Sequence, residues 1–218
     1  MNYGIIFDLD GTLWDSSEQV AGAWSVILSR RSETDSRVRR SVTGEDMRGY
    51  MGKTMEVIAA LMLPDTDEKT RLEIMDECGE YENEYLSGHG GKLYPDLERE
   101  LDRLSKSFKL FIVSNCQSGY IETFLEYHKL GKYFADFECP GGTGLAKAEN
   151  IRIIMERNSL DRAVYVGDTQ GDLDASDSAG VPFIHAAYGF GTVNREVPAV
   201  NSFSGIFEAA EKILGGTQ

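Results

Sequence analysis

The sequence has no long apolar run and few cysteines. None of its apolar stretches approaches the length of a membrane span, and no basic segment followed by an apolar core stands at its start. Its three cysteines, Cys78, Cys116 and Cys139, form no CxxC motif and cannot all pair with one another within the chain. That pattern favours a reducing compartment, so we expect no membrane partner and a cytoplasmic location.

Basic residues are also scarce relative to acidic ones. The 218 residues include 22 Lys and Arg against 36 Asp and Glu, which gives a formal net charge of −14. Such a charge argues against nucleic acid or an anionic membrane as a partner. It also means that an anionic substrate would need a locally positive site. The hydrophobic fraction of 41% is typical of a globular protein, for which we expect a monomer or a homodimer.

Short apolar runs that alternate with helical patterns predict an α/β fold. The predicted strands are Tyr3–Phe7, Lys109–Val113, Phe134–Glu138, Ala163–Val166 and Val181–His185. The predicted helices of this part are Asp96–Ser105, Ser118–His128, Lys147–Arg157, Asp172–Ala179 and Ser204–Leu214. Such alternation is typical of a Rossmann-like, mostly parallel sheet. Ligands bind beyond the carboxyl ends of the strands in sheets of this kind.

The stretch from about residue 15 to residue 90 has a different pattern. It contains no convincing strand, and helical periodicity covers Val20–Leu28, Thr54–Leu63 and Arg71–Leu86. We therefore expect an inserted helical cap domain of residues 15–90 and a core of residues 1–14 and 91–218. The two connections, Trp14–Ser17 and Ser87–Tyr94, lie where hinges would allow a cap to open and close.

Two carboxylates follow the first predicted strand. Asp8 and Asp10 are two residues apart and can project to the same side of the chain. Two like charges at one strand end are costly, because each raises the cost of ionising the other. A divalent cation would offset that cost, and Mg²⁺ accepts carboxylate and carbonyl oxygens as ligands. The sequence therefore predicts a carboxylate–metal site at this end of the sheet.

Further polar residues follow the later strands. Ser114 and Asn115 follow the second predicted strand and can hydrogen-bond a phosphoryl oxygen, although such pairs are also common in turns. Asp168 directly follows a buried strand and is a better metal ligand than Asp172, which could simply cap a helix. Lys147 begins a helix, where a cation opposes the helix dipole; it is either an electrostatic device or a solvated surface lysine.

Taken together, these residues resemble the motifs of the haloacid dehalogenase superfamily of phosphatases over essentially the whole chain. Residues 7–12 match its hydrophobic-Asp-x-Asp-Gly-Thr motif, and residues 111–114 match its strand that ends in Ser or Thr. Lys147 matches the third motif, and Asp168 with Asp172 matches the fourth. The segment 189–191 resembles the Gly-aromatic-Gly segment of phosphoglycolate phosphatase-like members, with an ordinary turn as the alternative.

The resemblance implies a role for each motif residue and a phosphoaspartyl mechanism. Asp8 would be the nucleophile, and Asp10 would act first as general acid and then as general base. Mg²⁺ would be held by Asp8, the backbone carbonyl of Asp10 and Asp168, while Asp172 would order a metal-bound water or Asp168 rather than bind the metal directly. The residues implied in phosphate binding are Gly11, Thr12, Ser114, Asn115 and Lys147.

The resemblance also implies a reaction class and a substrate class. Superfamily dehalogenases lack an acid at the position of Asp10, so a hydrolase of phosphate monoesters is favoured. A closing cap would exclude bulky substrates, which indicates small phosphorylated metabolites such as phosphoglycolate or a sugar phosphate. Lys53, Arg48 and Tyr50 could contact the leaving group, with simple surface placement as the alternative for each. Cys116 is interpreted as a small packing residue.

Three other functions are compatible with parts of this pattern. A sugar-phosphate mutase uses the same pair of aspartates but returns the phosphoryl group to the substrate. A phosphorylated receiver domain also combines acids, a hydroxyl and a lysine at strand ends, but such domains are shorter and lack the helical insertion. A non-catalytic binding protein of the same fold is the third.

Overall fold

A six-stranded parallel sheet organises the chain. The structure, a computed structural model, describes residues 2–215; the predicted core domain also includes residues 1 and 216–218, which lie outside that range. The strands of the described range are β1 Tyr3–Phe7, β2 Trp14–Asp15, β3 Lys92–Leu93, β4 Lys109–Val113, β5 Phe134–Glu138, β6 Arg162–Gly167, β7 Phe183–Ala186 and β8 Ala199–Val200. The sheet order is β5-β4-β1-β6-β7-β8, with every pairing parallel.

The α-helices fall into two groups. Four lie between β2 and β3: α1 Ser17–Ser32, α2 Gly44–Tyr50, α3 Met55–Met62 and α4 Glu68–His89. The others alternate with or follow the strands: α5 Leu97–Ser105, α6 Tyr120–His128, α7 Pro140–Thr143, α8 Lys147–Arg157, α9 Gln170–Ala179 and α10 Ile206–Leu214. None of the helices within residues 2–215 is both long enough and apolar enough to span a bilayer.

Alternation along the strands covers both faces of the sheet with helices. Ile5 and Phe7 of β1 belong to one apolar cluster, and their neighbour Ile6 belongs to the other, as the two-residue period of a strand requires. Helices α8 and α9 pack on the Ile6 face, while α5 and α10 pack on the opposite face. A parallel sheet covered in this way confirms the predicted Rossmann-like α/β fold.

The helical segment of residues 17–89 packs on itself and on the sheet domain. α1 lies against α4 and α2, α3 lies against α4, and α4 also contacts α6. The apolar cluster that contains Ile5 extends without interruption to Trp14, Trp24 and Met47. The segment begins and ends at a short antiparallel ribbon in which Trp14 pairs with Leu93 and Asp15 with Lys92.

Element bounds follow the sequence prediction most closely where apolar patterns are long. The observed β1, β4, β5 and α8 have the predicted bounds, whereas α9 begins at Gln170 rather than at Asp172 because Thr169 caps it. The expectation of no strand in residues 15–90 is wrong at Asp15, the last residue of β2. The ribbon and β8 contribute two residues per strand, which is too short for an alternating pattern to show.

Candidate active site

The candidate site lies where three neighbouring strands of the sheet end. Asp8 follows β1, Ser114 follows β4 and Asp168 follows β6, while Lys147 is the first residue of α8. Because β1 lies between β4 and β6, residues that follow these strands meet at one edge of the sheet. All four side chains are buried. The fold therefore brings together predicted site residues from distant parts of the sequence.

Lys147 is a buried cation between two carboxylates. Its Nζ donates to Asp8 Oδ1 at 2.9 Å and to Asp172 Oδ1 at 2.6 Å. Burial opposes its charge, but the carboxylates of Asp172 and Asp8 raise the pKa of Lys147 well above its ordinary value. The side chain is only 4% exposed, which rules out the solvated-lysine interpretation. The site therefore holds a buried positive charge on a protein whose formal net charge is −14.

Asp168 is held by one carboxylate oxygen only. Its Oδ2 accepts hydrogen bonds from the backbone N–H groups of Phe190 at 2.7 Å and Gly191 at 3.2 Å. The Gly-aromatic-Gly segment is therefore a turn that orients this aspartate. The other oxygen, Oδ1, is buried and has no hydrogen-bond partner among the described residues. An unpartnered carboxylate oxygen in a buried site is costly unless a cation or a water satisfies it.

Asp172 has the helix-capping role and also contacts the site. Thr169 is the N-cap of α9, its hydroxyl accepts from the Asp172 N–H, and Asp172 accepts in return from the Thr169 N–H, which completes a capping box. That return bond uses Asp172 Oδ2, while Oδ1 accepts from Lys147. Asp172 therefore caps α9 and also contacts Lys147, another predicted site residue.

The acidic cluster carries more negative charge than its lysine can balance. Asp8, Asp168 and Asp172 each offer a carboxylate oxygen, and these atoms lie within 4.8 Å of one another. Burial and the neighbouring Asp172 charge raise the pKa values of both Asp8 and Asp168. Three carboxylates with one ammonium leave an excess of negative charge, and the donors are hard oxygens. Such a set fits a divalent cation.

Asp10 is held by two hydroxyl groups that the sequence analysis missed. Ser16 Oγ donates to Asp10 Oδ1 at 2.6 Å, and Tyr120 OH donates to the same oxygen at 3.0 Å. Burial raises the pKa of Asp10 to about 6, with both hydroxyl bonds acting in the opposite direction. Tyr120 begins α6 and belongs to no motif, so only the packing of α6 against the β1 loop reveals its contact.

Gly11 follows Asp10 at a position that has no room for a side chain. Its φ is +81°, and a Cβ atom at this position would lie 2.3 Å from Asp168 Oδ2. Any side chain here would be strained by the backbone and would displace the aspartate. The glycine of the first motif is therefore explained by the close approach of the β1 loop to Asp168.

The other predicted phosphate-binding residues lie at the same edge of the sheet. Thr12 is fully buried and its hydroxyl has no hydrogen-bond partner within residues 2–215. Ser114 is 4% exposed. Asn115 departs from the expectation in one respect, because its Nδ2 donates at 3.0 Å to the backbone oxygen of Gly52 in the helical segment. The amide therefore connects the two parts of the molecule in this structure.

A small cavity separates Asp10 from the helical segment. It has a volume of about 40 Å³ and is lined by Asp10 and Ser114 and by residues of α1, α3 and α4. Lys53 also lines it, but its ammonium is exposed and donates to the backbone oxygen of Gly49 at 2.6 Å. Arg48 is engaged instead in ion pairs with Asp15 and Glu18.

Tyr50 and Cys116 have different surroundings. Tyr50 OH lies 3.4 Å from Arg39 NH1, which donates to it, so this tyrosine is engaged within the helical segment. Cys116 is buried at the end of the Ser114 loop and also lines the cavity. Its sulphur is one of three free thiols.

Comparisons with known proteins agree with this geometry. Residues 5–186 match the family model described as haloacid dehalogenase-like hydrolase. Curated relatives include the phosphoglycolate phosphatase of Aquifex aeolicus, which is 28% identical over 89% of both chains. Similar solved structures include a haloacid dehalogenase-like hydrolase from Bacteroides fragilis (22% identity, TM-score 0.79, 94% of this chain and 100% of that one). A predicted phosphatase from Clostridium acetobutylicum is 26% identical, with a TM-score of 0.76 and 98% of each chain covered.

The family assignment excludes the receiver-domain alternative. The match extends over most of the chain and includes the helical segment that receiver domains lack. The curated relatives are phosphatases, which agrees with a hydrolase rather than a dehalogenase. This chain belongs to the haloacid dehalogenase-like hydrolases and is a phosphoric monoester hydrolase.

Proposed function

We propose that this protein is a Mg²⁺-dependent phosphatase of small phosphate monoesters that works through a phosphoaspartyl intermediate on Asp8. The observation that carries the proposal is the buried contact of Asp8 with Lys147, beside the unpartnered oxygen of Asp168. A nucleophilic carboxylate, a fixed cation and a set of metal-ligating oxygens at one strand edge are the parts that phosphoryl transfer requires.

The residues present fit Mg²⁺. Asp8, Asp168 and the backbone carbonyl of Asp10 would hold the ion, and Asp168 Oδ1 is the oxygen that a cation would satisfy. When bound, Mg²⁺ neutralises charge on the transferring phosphoryl group. Asp172 stays outside this set because Lys147 and the first turn of α9 already occupy its oxygens.

The aspartates divide the reaction into two displacements. A carboxylate oxygen of Asp8 attacks phosphorus, the bond to the leaving oxygen breaks, and Asp10 gives its proton to that alkoxide. Asp10 then takes a proton from a water molecule as the water oxygen attacks phosphorus. Inorganic phosphate leaves and the Asp8 carboxylate is restored. The hydroxyls of Ser16 and Tyr120 hold Asp10 in place for both proton transfers.

The remaining site residues bind the phosphoryl oxygens. Lys147 offers a buried ammonium, Ser114 a hydroxyl, and Thr12 a buried hydroxyl with no hydrogen bond to protein in the described range. The turn at Gly11 places backbone at the same edge, and the amide of Asn115 can exchange its bond to Gly52 for one to the substrate. Fixed donors of this kind stabilise the charge that develops in the transition state.

The helical segment acts as a cap over these residues. In this proposal residues 15–90 form the cap domain and residues 1–14 and 91–218 form the core, with the β2–β3 ribbon as the connection between them. Cavities of about 40 Å³ beside Asp10 and about 590 Å³ beside Lys147, both lined by residues of cap and core, support small metabolites as substrates. The candidate substrates are phosphoglycolate, after the names of the curated relatives, and sugar phosphates. The three free thiols support a reducing compartment such as the cytoplasm.

A phosphate-release assay tests the proposal. Wild-type protein is incubated with sugar phosphates, phosphoglycolate, nucleotides and an aryl phosphate, in Mg²⁺ or in EDTA. We expect release from at least one small ester in Mg²⁺ only, and none from an Asp8→Asn variant with an unchanged far-UV spectrum. The exposed Asp102→Asn variant is the control. Release in EDTA, or activity in Asp8→Asn, would exclude this mechanism, and phosphoryl return to substrate without net release would indicate a mutase.

A further inference from the structure

The cavity between the two parts of the molecule lies where the leaving group must be. A general acid has to touch the oxygen that it protonates, so the leaving group lies on the side of Asp10 that opens into a cavity. That cavity is the one of about 40 Å³ between Asp10 and the helical segment. Its walls are mostly apolar and include Met47, Met51 and Ile58. It shares Met55, Asn115, Cys116 and Gln117 with a second cavity of about 590 Å³ that Lys147 also lines.

One buried carboxyl group faces this cavity from the helical segment. Glu82 of α4 is 4% exposed and lines the cavity together with Asp10. The indole Nε1–H of Trp24 donates to Glu82 Oε2 at 2.5 Å and fixes the orientation of the carboxyl group. Glu82 has no arginine, lysine or histidine partner among the ion pairs of the described residues. No step of the proposed mechanism uses this residue.

Several hydrogen-bond donors around the cavity bond to protein, and the Ser114 hydroxyl is assigned to the phosphoryl group. Trp24 donates to Glu82, Asn115 Nδ2 donates to Gly52, and Gln117 Nε2 donates to Asn83 Oδ1 at 3.3 Å. Lys53 is the only cation among the described residues that line the cavity. Its exposed ammonium donates to Gly49. The leaving group therefore meets the oxygens of Asp10 and Glu82, and no cation is buried among the described residues that line the cavity.

We infer that Glu82, in its ionised form, selects the leaving group by accepting a hydrogen bond from it, so that the ionised enzyme prefers monoesters whose leaving group carries a hydroxyl or ammonium donor over those that carry a carboxylate. This inference rests on the proposed phosphatase function and specifies its substrate class. A short polyol or sugar phosphate meets this requirement, and so does an amino-alcohol phosphate. Phosphoglycolate does not, because its leaving group is a carboxylate.

The burial of Glu82 gives this preference a physical cause. Burial raises the pKa of Glu82 to about 8, with the nearby Asp10 charge adding to the effect. The same desolvation would act on a substrate carboxylate placed beside the oxygens of Glu82 and Asp10, where no buried cation compensates. A hydroxyl or ammonium group instead finds an oriented acceptor. Unpaired buried polar groups are costly enough to reject a substrate by about tenfold or more.

Four esters with two-carbon leaving groups test this inference: 2-hydroxyethyl phosphate, 2-aminoethyl phosphate, ethyl phosphate and phosphoglycolate. They share the phosphoryl group and nearly the same length, and they differ in the terminal group. At pH 9, where Glu82 with its raised pKa of about 8 is ionised, we expect kcat/KM in Mg²⁺ to be at least about tenfold higher for the hydroxyl or the amino ester than for phosphoglycolate. The ratio of the hydroxyl to the amino ester distinguishes the two donor types. This wild-type comparison needs no variant.

The variant Glu82→Gln assigns the preference to this residue. It keeps the shape of the side chain and an oxygen for Trp24 but removes the negative charge, so the ratio of the hydroxyl ester to phosphoglycolate should fall about tenfold. The matched control is Glu80→Gln, because Glu80 is an exposed residue of the same helix. Ethyl phosphate, which has no terminal polar group, should change little in either variant.

The possible outcomes separate the inference from the function on which it rests. Turnover of an aryl phosphate together with a preference for phosphoglycolate, or an unchanged ratio in Glu82→Gln, overturns the inference and leaves the phosphatase in place. If no ester and no aryl phosphate is hydrolysed, the proposed function fails. In that case, calorimetric binding of the four esters to Asp8→Asn tests the inference by itself. Tighter binding of phosphoglycolate than of the other esters, or binding of none of them, overturns it.

Discussion

Individual charged residues are unusual here because several are buried together. Lys147, Asp8, Asp168 and Asp172 are each at most 4% exposed, although charged side chains are rarely buried without partners. The lysine bonds two of the carboxylates, and the third has one oxygen without a partner among residues 2–215. Each of these residues is therefore expected to affect both stability and activity.

Removal of the buried lysine charge should be costly. Lys147→Met leaves Asp8 and Asp172 side by side without their cation, and we expect the free energy of unfolding in EDTA to fall by about 3 kcal/mol. Activity should fall by at least about 100-fold, since the fixed positive charge at the phosphoryl site is lost. Urea denaturation and initial rates measure these two effects.

The control for that variant is Lys106→Met. Lys106 Nζ donates to Asp102 at 2.6 Å, but both side chains are mostly exposed. We expect a change in stability of less than about 0.5 kcal/mol and no change in activity. Equal effects of the two substitutions would contradict the structural role assigned to Lys147.

Glu82 should make stability depend on pH. Burial raises its pKa from 4.5 to about 8, so the folded state holds the proton more tightly than the unfolded state does. Its contribution to stability is complete below about pH 4.5 and is lost as pH rises towards 8, at up to about 1.4 kcal/mol per pH unit. Glu82→Gln should reduce this slope between pH 5 and 8, measured by urea denaturation.

The groups that face Glu82 determine how that slope is interpreted. Trp24 and Gln117 do not titrate near this range, Cys78 and Tyr120 titrate only at higher pH, and Asp10 has its own raised pKa of about 6. Only the difference between wild type and Glu82→Gln is therefore assigned to Glu82. Glu80→Gln should retain the full slope, and a wild-type slope in Glu82→Gln would contradict the assignment.

At the scale of elements, one helix N-terminus contributes both to helix stability and to the arrangement of the site. Thr169 and Asp172 form a reciprocal pair of side-chain to backbone hydrogen bonds at the start of α9. Asp172 also accepts a hydrogen bond from Lys147. A second capping box, Thr43 with Asp46 at the start of α2, has the same local geometry but lies outside the site. The molecule thus contains an internal control for the role of capping.

Thr169→Ala and Thr43→Ala should have equal stability costs and unequal effects on activity. Each removes one N-cap and should lower the free energy of unfolding by about 1 kcal/mol. Thr169→Ala also loosens Asp172 and, through it, Lys147, so kcat/KM should fall by about tenfold. Thr43→Ala should keep the wild-type rate. A comparable loss of activity in both variants would show that the effect is not transmitted through Asp172.

At the scale of the whole molecule, the sheet and the helical segment share one apolar cluster. This cluster extends from Ile5 in the sheet to Trp24 and Met47 in the helical segment. Trp14 lies at the junction, with its ring edge-on to Tyr120 and Phe124 of α6. Continuous packing of this kind couples the unfolding of the two parts, even if the segment moves as a cap during turnover.

Thermal unfolding should therefore occur in a single transition. We expect the calorimetric enthalpy to equal the van't Hoff enthalpy, and tryptophan fluorescence and far-UV circular dichroism to give the same midpoint. Trp24→Phe, a change within the helical segment, should lower that one midpoint without creating a second transition. Two resolved transitions would instead show that the segment and the sheet domain unfold independently.

The sequence by itself determined the fold class, the family and the positions of the motif residues. Buried strands such as Tyr3–Phe7 and Lys109–Val113 are specified by local apolar patterns, and polar residues that follow parallel strands must meet at one edge. Local sequence patterns do not predict the two-residue strands of the ribbon and β8. So short an element has no pattern of its own and forms only when its partner strand is already in place.

Only the tertiary structure decided which groups support the motif residues. Tyr120 reaches Asp10 across more than 100 positions, Phe190 and Gly191 turn their N–H groups towards Asp168, and Glu82 faces the cavity beside Asp10. These contacts depend on how helices and loops pack, and no local pattern encodes such packing. Burial likewise decided that Lys147 is not a solvated surface lysine, since its desolvation and its two carboxylate partners exist only in the folded chain.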